Sequence, residues 1–285
     1  MHTGMLKSRA GFTLAEVLVA LVLTAVLGAA ATTTFVSQSR FFDKQDKVGA
    51  ARGVSRSSLN MVLSEVRMVE RSGGVVAAEA DSITLNVPYA MGLYCSIFAG
   101  TMSLSMLPVD SLTLANAGYS GYAYRTSETT YTYVSSLTPP MGGLAPSCTG
   151  AGIKLVPDVG GVVNIPLGTT LKVGTPVLLY QRISYIFRAS SSVPGTIALW
   201  RRVHAPNLTL PNPFVVEELV APFAPTAGFE YYVNDVAVAQ SSVAFGSLDQ
   251  ITGIELTLDG MSERPESDGS HQVTPYSTSV FFRNR

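Results

Sequence analysis

The residues best placed to take part in chemistry stand at the start of the chain. Lys7 and Arg9 lead into Gly11-Phe12-Thr13-Leu14-Ala15-Glu16, and an apolar run follows over residues 17–31. A carboxylate within lipid costs on the order of 2–3 kcal/mol at mid-span and less near an end, so it normally marks a partner. Hydrolysis after Gly11 would place a positive amine on Phe12, close in sequence to Glu16. The chemistry implied is therefore done to the chain, and charge-directed association follows it. Little elsewhere competes with this reading. His2, His204 and His271 lie far apart, and no zinc-protease, paired-thiol, nucleophile-elbow or phosphate-loop spacing occurs. Asp259-Gly260, Glu263, Glu266 and Asp268-Gly269 form an acidic loop that fits no EF-hand spacing, so it reads as a solvated turn before a calcium site. No catalytic constellation can be assembled, and no cofactor or metal is expected.

Cys95 and Cys148 are the only cysteines. In an envelope or extracellular domain an even pair favours a disulfide, and closing a loop of about 50 residues would contribute roughly 3–4 kcal/mol. Two unpaired thiols in separate places is the alternative. The 285 residues suffice for one large domain or two modest ones. Only 14% of residues are charged, and losing Lys7 and Arg9 with residues 1–11 moves the net charge from -1 to -3. That balance excludes a broad basic footprint for nucleic acid, though not a localised groove.

Residues 12–31 are 20 in number and would span roughly 30 Å as a helix, about one hydrocarbon thickness. Basic Lys7 and Arg9 keep the leader cytoplasmic and send the remainder across as a single span. An ordinary signal peptide would carry its cleavage site after the apolar core, where only Ala29-Ala30-Ala31 could serve. All sixteen prolines lie at Pro88 or later, so the first 70 residues permit one long helix, with Gly73-Gly74 as its stop. Leu59, Val62, Val66 and Val69 recur at steps of three and four, which places them on one face. Arg52, Arg56, Arg67 and Arg71 decorate this region as a solvated face rather than a phosphate site. Strand patterns dominate from Asp81, over 82–87, 110–115, 177–187, 196–203, 214–220, 228–233, 251–258 and 276–282. Residues 190–195 read as a hairpin, and the absence of βαβ spacing predicts a mainly antiparallel sheet. Between about 91 and 161 the composition loosens into Gly, Ser, Thr, Tyr and Pro and reads as a loop-rich insertion. Its Tyr119, Tyr122, Tyr124, Tyr131 and Tyr133 suit recognition and packing equally.

The leader, the glycine, the aromatic residue, Glu16 and the span together resemble the class III leader of type IV pilins and type II secretion pseudopilins. The resemblance implies cleavage after Gly11 by a prepilin peptidase, N-methylation of Phe12, and Glu16 meeting the N-terminal amine of a neighbouring subunit. It implies an α+β fold: a long N-terminal helix, membrane-spanning in its first half, with a mainly antiparallel β-sheet head. The divisions are leader 1–11, transmembrane and filament-core helix 12–31, amphipathic helix 32–74 and periplasmic head 75–285. Implied partners are other pilins, the peptidase, an inner-membrane assembly platform and inner-membrane lipid. The head also resembles minor pilins of the PilW type and the J pseudopilin. The matching residues are Ile183-Ser184-Tyr185, Leu199-Trp200-Arg201, Glu217-Glu218-Leu219, Phe229-Glu230-Tyr231, Ile251-Thr252-Gly253-Ile254-Glu255-Leu256 and Ser279-Val280-Phe281-Phe282-Arg283-Asn284. This implies a non-enzymatic minor pilin acting in pilus initiation or at the tip. A secretion pseudopilin, or an adhesive head that uses the helix only as an anchor, are the alternatives. Replacing Gly11 with leucine should leave the leader attached; normal shortening of the Gly11→Leu protein on a denaturing gel contradicts the cleavage position.

Overall fold

The computed structural model describes residues 12–98, 101–107, 109–110, 118–127, 130–136, 141–143, 148, 160–164, 171–204, 214–234, 236, 238–266 and 269–282. The fold is α+β, a long N-terminal apolar helix followed by an antiparallel β head. Helix α1 runs over Leu14–Val66, and its 53 residues give a rod about 80 Å long. No proline interrupts it, and its three glycines at 28, 49 and 53 are too few to break so apolar a segment. Hydroxyls that would be costly in lipid are satisfied within the rod: Thr24 Oγ1 donates to Ala20 O at 2.7 Å and Thr32 Oγ1 to Gly28 O at 2.7 Å.

The two halves of α1 have different surroundings. Every residue from 12 to 46 is exposed, whereas Ala51, Ser55, Ser58, Val62 and Val66 are buried. Those five recur at helical spacing and form the face that meets the head. The predicted stripe of Val62, Val66 and Val69 lies in the core, with Leu59 packed beside it, while Arg52, Arg56 and Arg67 face solvent. The main helix ends at Val66, short of the predicted stop. The chain turns at Arg67, whose N–H still donates to Leu63 O at 3.1 Å. That turn carries Val69 into the core next to Val66. A single turn of helix, α2 (Arg71–Gly74), follows, and within it Gly73 takes φ +75. A Cβ on Gly73 would stand 2.6 Å from Cδ2 of Tyr133, so glycine is required there for both reasons.

Fifteen strands and a 3-10 helix over Phe245–Gln250 make up the regular structure described in the head. The strands are β1 (Val75–Ala78), β2 (Ser82–Phe98), β3 (Thr101–Met106), β4 (Gly121–Arg125) and β5 (Tyr131–Ser135). Then come β6 (Met141–Gly143), β7 (Gly160–Asn164), β8 (Pro176–Ala189), β9 (Ile197–His204) and β10 (Phe214–Phe223). The last are β11 (Gly228–Val233), β12 (Ile251–Thr257), β13 (Gly260–Met261), β14 (Val273–Thr274) and β15 (Ser277–Phe281). Twelve form one sheet along the path β14-β13-β10-β9-β8-β2-β3-β7-β6, with β1 on β2 and the β4–β5 hairpin on β8. The remaining three form a sheet ordered β11-β12-β15. Every pairing among them is antiparallel, as in the β8–β9 hairpin, where Ala189 opposes Ile197.

Seven of the eight predicted strands fall on observed ones. Of the eighth, residues 111–115 lie outside the described residues. The segment read as a loop-rich insertion carries more strand than expected. β2 continues to Phe98 and β3, β4, β5, β6 and β7 follow. β3 is buried from Met102 to Met106: Met102, Leu104 and Met106 enter one core, and the alternating Ser103 and Ser105 are buried on the other face. A bond of 2.06 Å joins the sulfurs of Cys95 and Cys148, both buried.

Two cores result. The larger lies between α1, one face of the long sheet and the smaller sheet, and includes Val62, Val66, Leu85, Ile183, Leu199, Phe223, Phe229 and Ile254. The second gathers Tyr94, Met102, Leu104, Tyr119, Tyr122 and Leu179. The helix backbone comes very close to the sheet at Gly260, where a Cβ would meet Ala51 O at 2.2 Å and Ser55 Oγ at 2.6 Å. Ser55 Oγ donates across this contact to Leu258 O at 2.7 Å. Gly260 therefore reads as a docking point for α1, where the sequence suggested only a turn. Gly260→Ala should destabilise the protein by about 1–3 kcal/mol through overpacking. Chemical denaturation of the full chain in detergent measures this, and an unchanged midpoint contradicts the docking assignment.

Candidate assembly site

The N-terminal site is built by one turn of α1. Thr13 is the N-cap in extended backbone, and it forms a reciprocal capping box with Glu16. The Glu16 N–H donates to Thr13 Oγ1 at 3.3 Å, while the Thr13 N–H and hydroxyl donate to Glu16 Oε2 at 3.0 and 3.1 Å. Both bonds to the carboxylate fall on one oxygen, and Oε1 accepts none among the described residues. Phe12, just outside the cap, is 88% exposed. A shallow groove on the same side of the helix is lined by Ala15, Glu16, Val19, Ala20 and Leu23. Small residues beside a carboxylate let another helix approach closely in lipid. Gly11 lies outside the described residues. The helix that carries this site is long and apolar enough to cross a membrane.

A second polar cluster joins the helix to the head. Glu65 stands between the buried Val62 and Val66, and its side chain is 19% exposed. Its Oε2 accepts the Tyr185 hydroxyl at 2.6 Å, and its Oε1 accepts Arg201 Nη2 at 2.8 Å. The other arm of Arg201, Nη1, lies 3.5 Å from Glu217 Oε1. Burial first, and the Glu65 charge second, push the Tyr185 phenol well above its ordinary range, so it stays protonated and donates. Burial alone would lower Arg201, but its bond to Glu65 and the charge there more than offset this and hold it raised. Tyr185, Arg201 and Glu217 belong to the motifs singled out in the sequence, but Glu65 does not. Its only signal was an acidic residue flanked by two positions of an apolar helical stripe.

The opposite face of the long sheet is tied together by side chains. Thr84 Oγ1, Ser184 Oγ and His204 Nε2 form a chain with steps of 2.7 Å across β2, β8 and β9. A serine beside a histidine can be a nucleophile and its base, but here Ser184 is buried and already shared with Thr84. Burial, then Arg202 and Arg182, lower the His204 pKa from its ordinary value. Arg182 Nε donates to Asn86 Oδ1 at 3.1 Å, and Asn86 Nδ2 donates to Gly73 O at 3.0 Å. At the tip of the β8–β9 hairpin, Ser190 Oγ and Ser192 Oγ each reach Glu218 Oε1 at 2.6 Å, and the Ser191 N–H reaches Oε2 at 2.8 Å. Burial would raise the Glu218 pKa, but these donors outweigh it and bring it down to about 2. Of the five tyrosines left open by the sequence, Tyr119 and Tyr122 are buried in the second core and Tyr133 packs on Gly73. These three are packing residues. Asp259 of the acidic loop closes a turn, accepting the Thr226 hydroxyl at 2.6 Å and the Tyr276 N–H at 3.1 Å.

Residues 6–32 match the family model described as the prokaryotic N-terminal methylation motif. The match covers Gly11, Phe12, Glu16 and the apolar run, and leaves the head outside it. No curated protein and no solved structure matches the chain. The N-terminus thus carries the processing signal of type IV pilin-like proteins, in which the motif serves a structural role.

Arg201→Met leaves Glu65 partly buried beside Tyr185 without its cation, which should cost about 2–4 kcal/mol. Glu65→Leu combined with Arg201→Met should cost less than the two single changes summed. Urea midpoints of the three variants measure this, and strict additivity contradicts the clamp.

Proposed function

We propose that this chain is a minor pilin, cut after Gly11 by a prepilin peptidase, N-methylated at Phe12 and assembled into a type IV pilus. Before assembly it sits in the inner membrane as a single-pass protein with its head in the periplasm. Its partners are the other pilins, the inner-membrane assembly platform and the surrounding lipid. It performs no turnover; its work is association.

One observation carries the proposal. Glu16 lies at the capped start of an apolar helix, spends one carboxylate oxygen on Thr13, and leaves the other unused among the described residues. Capping therefore fixes the carboxylate in place without consuming it. A neighbour's N-terminal ammonium supplies a charge-assisted hydrogen bond, which is strong where water is excluded. The groove of Ala15, Val19, Ala20 and Leu23 accommodates the neighbouring helix that brings that ammonium. Residues 12–46, exposed throughout, offer the apolar surface that such a bundle would bury.

The size of the head supports placement at or near the tip. Among the described residues, twelve strands in one sheet and three in another present more bulk than a rod about 10 Å wide can repeat closely along its length. A tip position relieves that crowding.

Glu16→Ala should leave the protein in the membrane and cleaved, while its recovery in sheared filaments falls by roughly tenfold or more, the equivalent of about 1.4 kcal/mol. Immunoblots of membrane and filament fractions read both quantities. Recovery at the unsubstituted level refutes the assembly role of Glu16.

A further inference from the structure

We propose that the outer edge of β15 is a docking site for an extended, carboxylate-bearing segment of a neighbouring filament subunit, which adds as a fourth strand to the smaller sheet. The proposal rests on the assembly reading above and deepens it, because it gives the head a contact of its own.

The register of β15 on β12 decides which backbone groups are available. Phe282 N donates to Thr252 O at 3.0 Å and Leu258 N donates to Tyr276 O at 2.7 Å, so the even-numbered residues of this strand pair inward. Ser277, Ser279 and Phe281 therefore turn their N–H and C=O groups outward, and among the described residues no strand pairs with that edge. Other margins are blunted, apart from β5 (Tyr131–Ser135), which pairs only with β4 among the described residues. The long sheet ends in β14 and β6, of two and three residues. The far edge of the smaller sheet is closed by Gln240, which exchanges bonds of 2.8 Å with Tyr231.

Within the five residues Ser277–Phe281, β15 carries no charge, proline or bulge to protect its edge. Phe281 lies 57% exposed over Gly253, where a Cβ would come within 2.6 Å of its ring, and packs at a tilt against Tyr232 with ring centroids 5.3 Å apart. An arriving strand would find both main-chain partners and an aromatic surface to cover.

The charge at this edge selects the occupant. A pocket of about 300 Å³ is lined by Ser279, Val280, Phe281, Phe282 and Arg67. Arg67, at the C-cap of α1, is exposed and makes no ion pair among the described residues. A guanidinium beside open backbone donors suits a carboxylate, which it can grip through two parallel bonds. A strand carrying aspartate or glutamate meets both features at once.

The test uses the full chain in cells that assemble the filament. A photo-reactive residue at Ser279 should cross-link to an extended segment of another subunit, with Asp or Glu close to the linked position in the mass-mapped peptide. Ser279→Pro removes an outward N–H while sparing the β12 ladder, and Arg67→Glu reverses the charge without touching the strand. Each should be processed normally, keep the thermal midpoint of the parent chain and lower recovery in sheared filaments at least fivefold. Arg67→Glu serves as the arbiter if the proline variant loses its thermal midpoint. Cross-links to a helix or to a second copy of this chain overturn the proposal, as does recovery of Arg67→Glu at the parent level. Absence of the parent chain from filaments overturns the assembly reading and this proposal together, whereas normal recovery of the variants overturns this proposal alone.

Discussion

A carboxylate sits at the head of a rod that its own chain does not cover, and the structure is organised around that imbalance. From Phe12 to Asp46 the helix is exposed and largely apolar, a surface that water disfavours and that lipid or other helices accept. Glu16 cannot be explained by span alone, because an anchor has no use for a charge. Thr13 holds it in a capping box and leaves one oxygen available. The helix is therefore capped at its start and incomplete in its packing and charge. In the proposed assembly, both deficits would be met by other copies of the same kind of segment.

The second half of the rod meets a different requirement, since any load on the helix must reach the head without unravelling it. Small residues do the first part: Ala51 and Ser55 let the helix backbone rest on Gly260, closer than any side chain would permit. Val62 and Val66 then enter the main core, and Glu65 between them closes on Tyr185 and Arg201 from β8 and β9. A partly buried ion pair adds little net stability, but it has one geometry, whereas an apolar contact tolerates sliding. The clamp so fixes helix register against the long sheet. Beyond it, the turn at Arg67 and the left-handed Gly73 bring the chain into the first strand.

Much of this was legible in the sequence because it is written in local patterns. The placement of all prolines beyond residue 87 gave the uninterrupted rod, and the three- and four-residue steps of Leu59, Val62, Val66 and Val69 gave its docked face. Alternation gave β12 and its neighbours. The polar composition around 101–106 hid β3, because the serines that alternate with its methionines and leucine are themselves buried. Glu65 was not visible, since its partners lie more than a hundred residues away and only the fold brings them together. Gly260 likewise read as a turn glycine, and its role appears only when the helix is laid against it.

The most direct measurement is zero-length carbodiimide coupling of assembled filaments, followed by mass mapping of the joined peptides. A bond between the methylated Phe12 amine of one subunit and a carboxylate at the Glu16 position of another is the predicted result. Recovery of Glu16 only as an unmodified side chain, in filaments whose other carboxylates react, would contradict it.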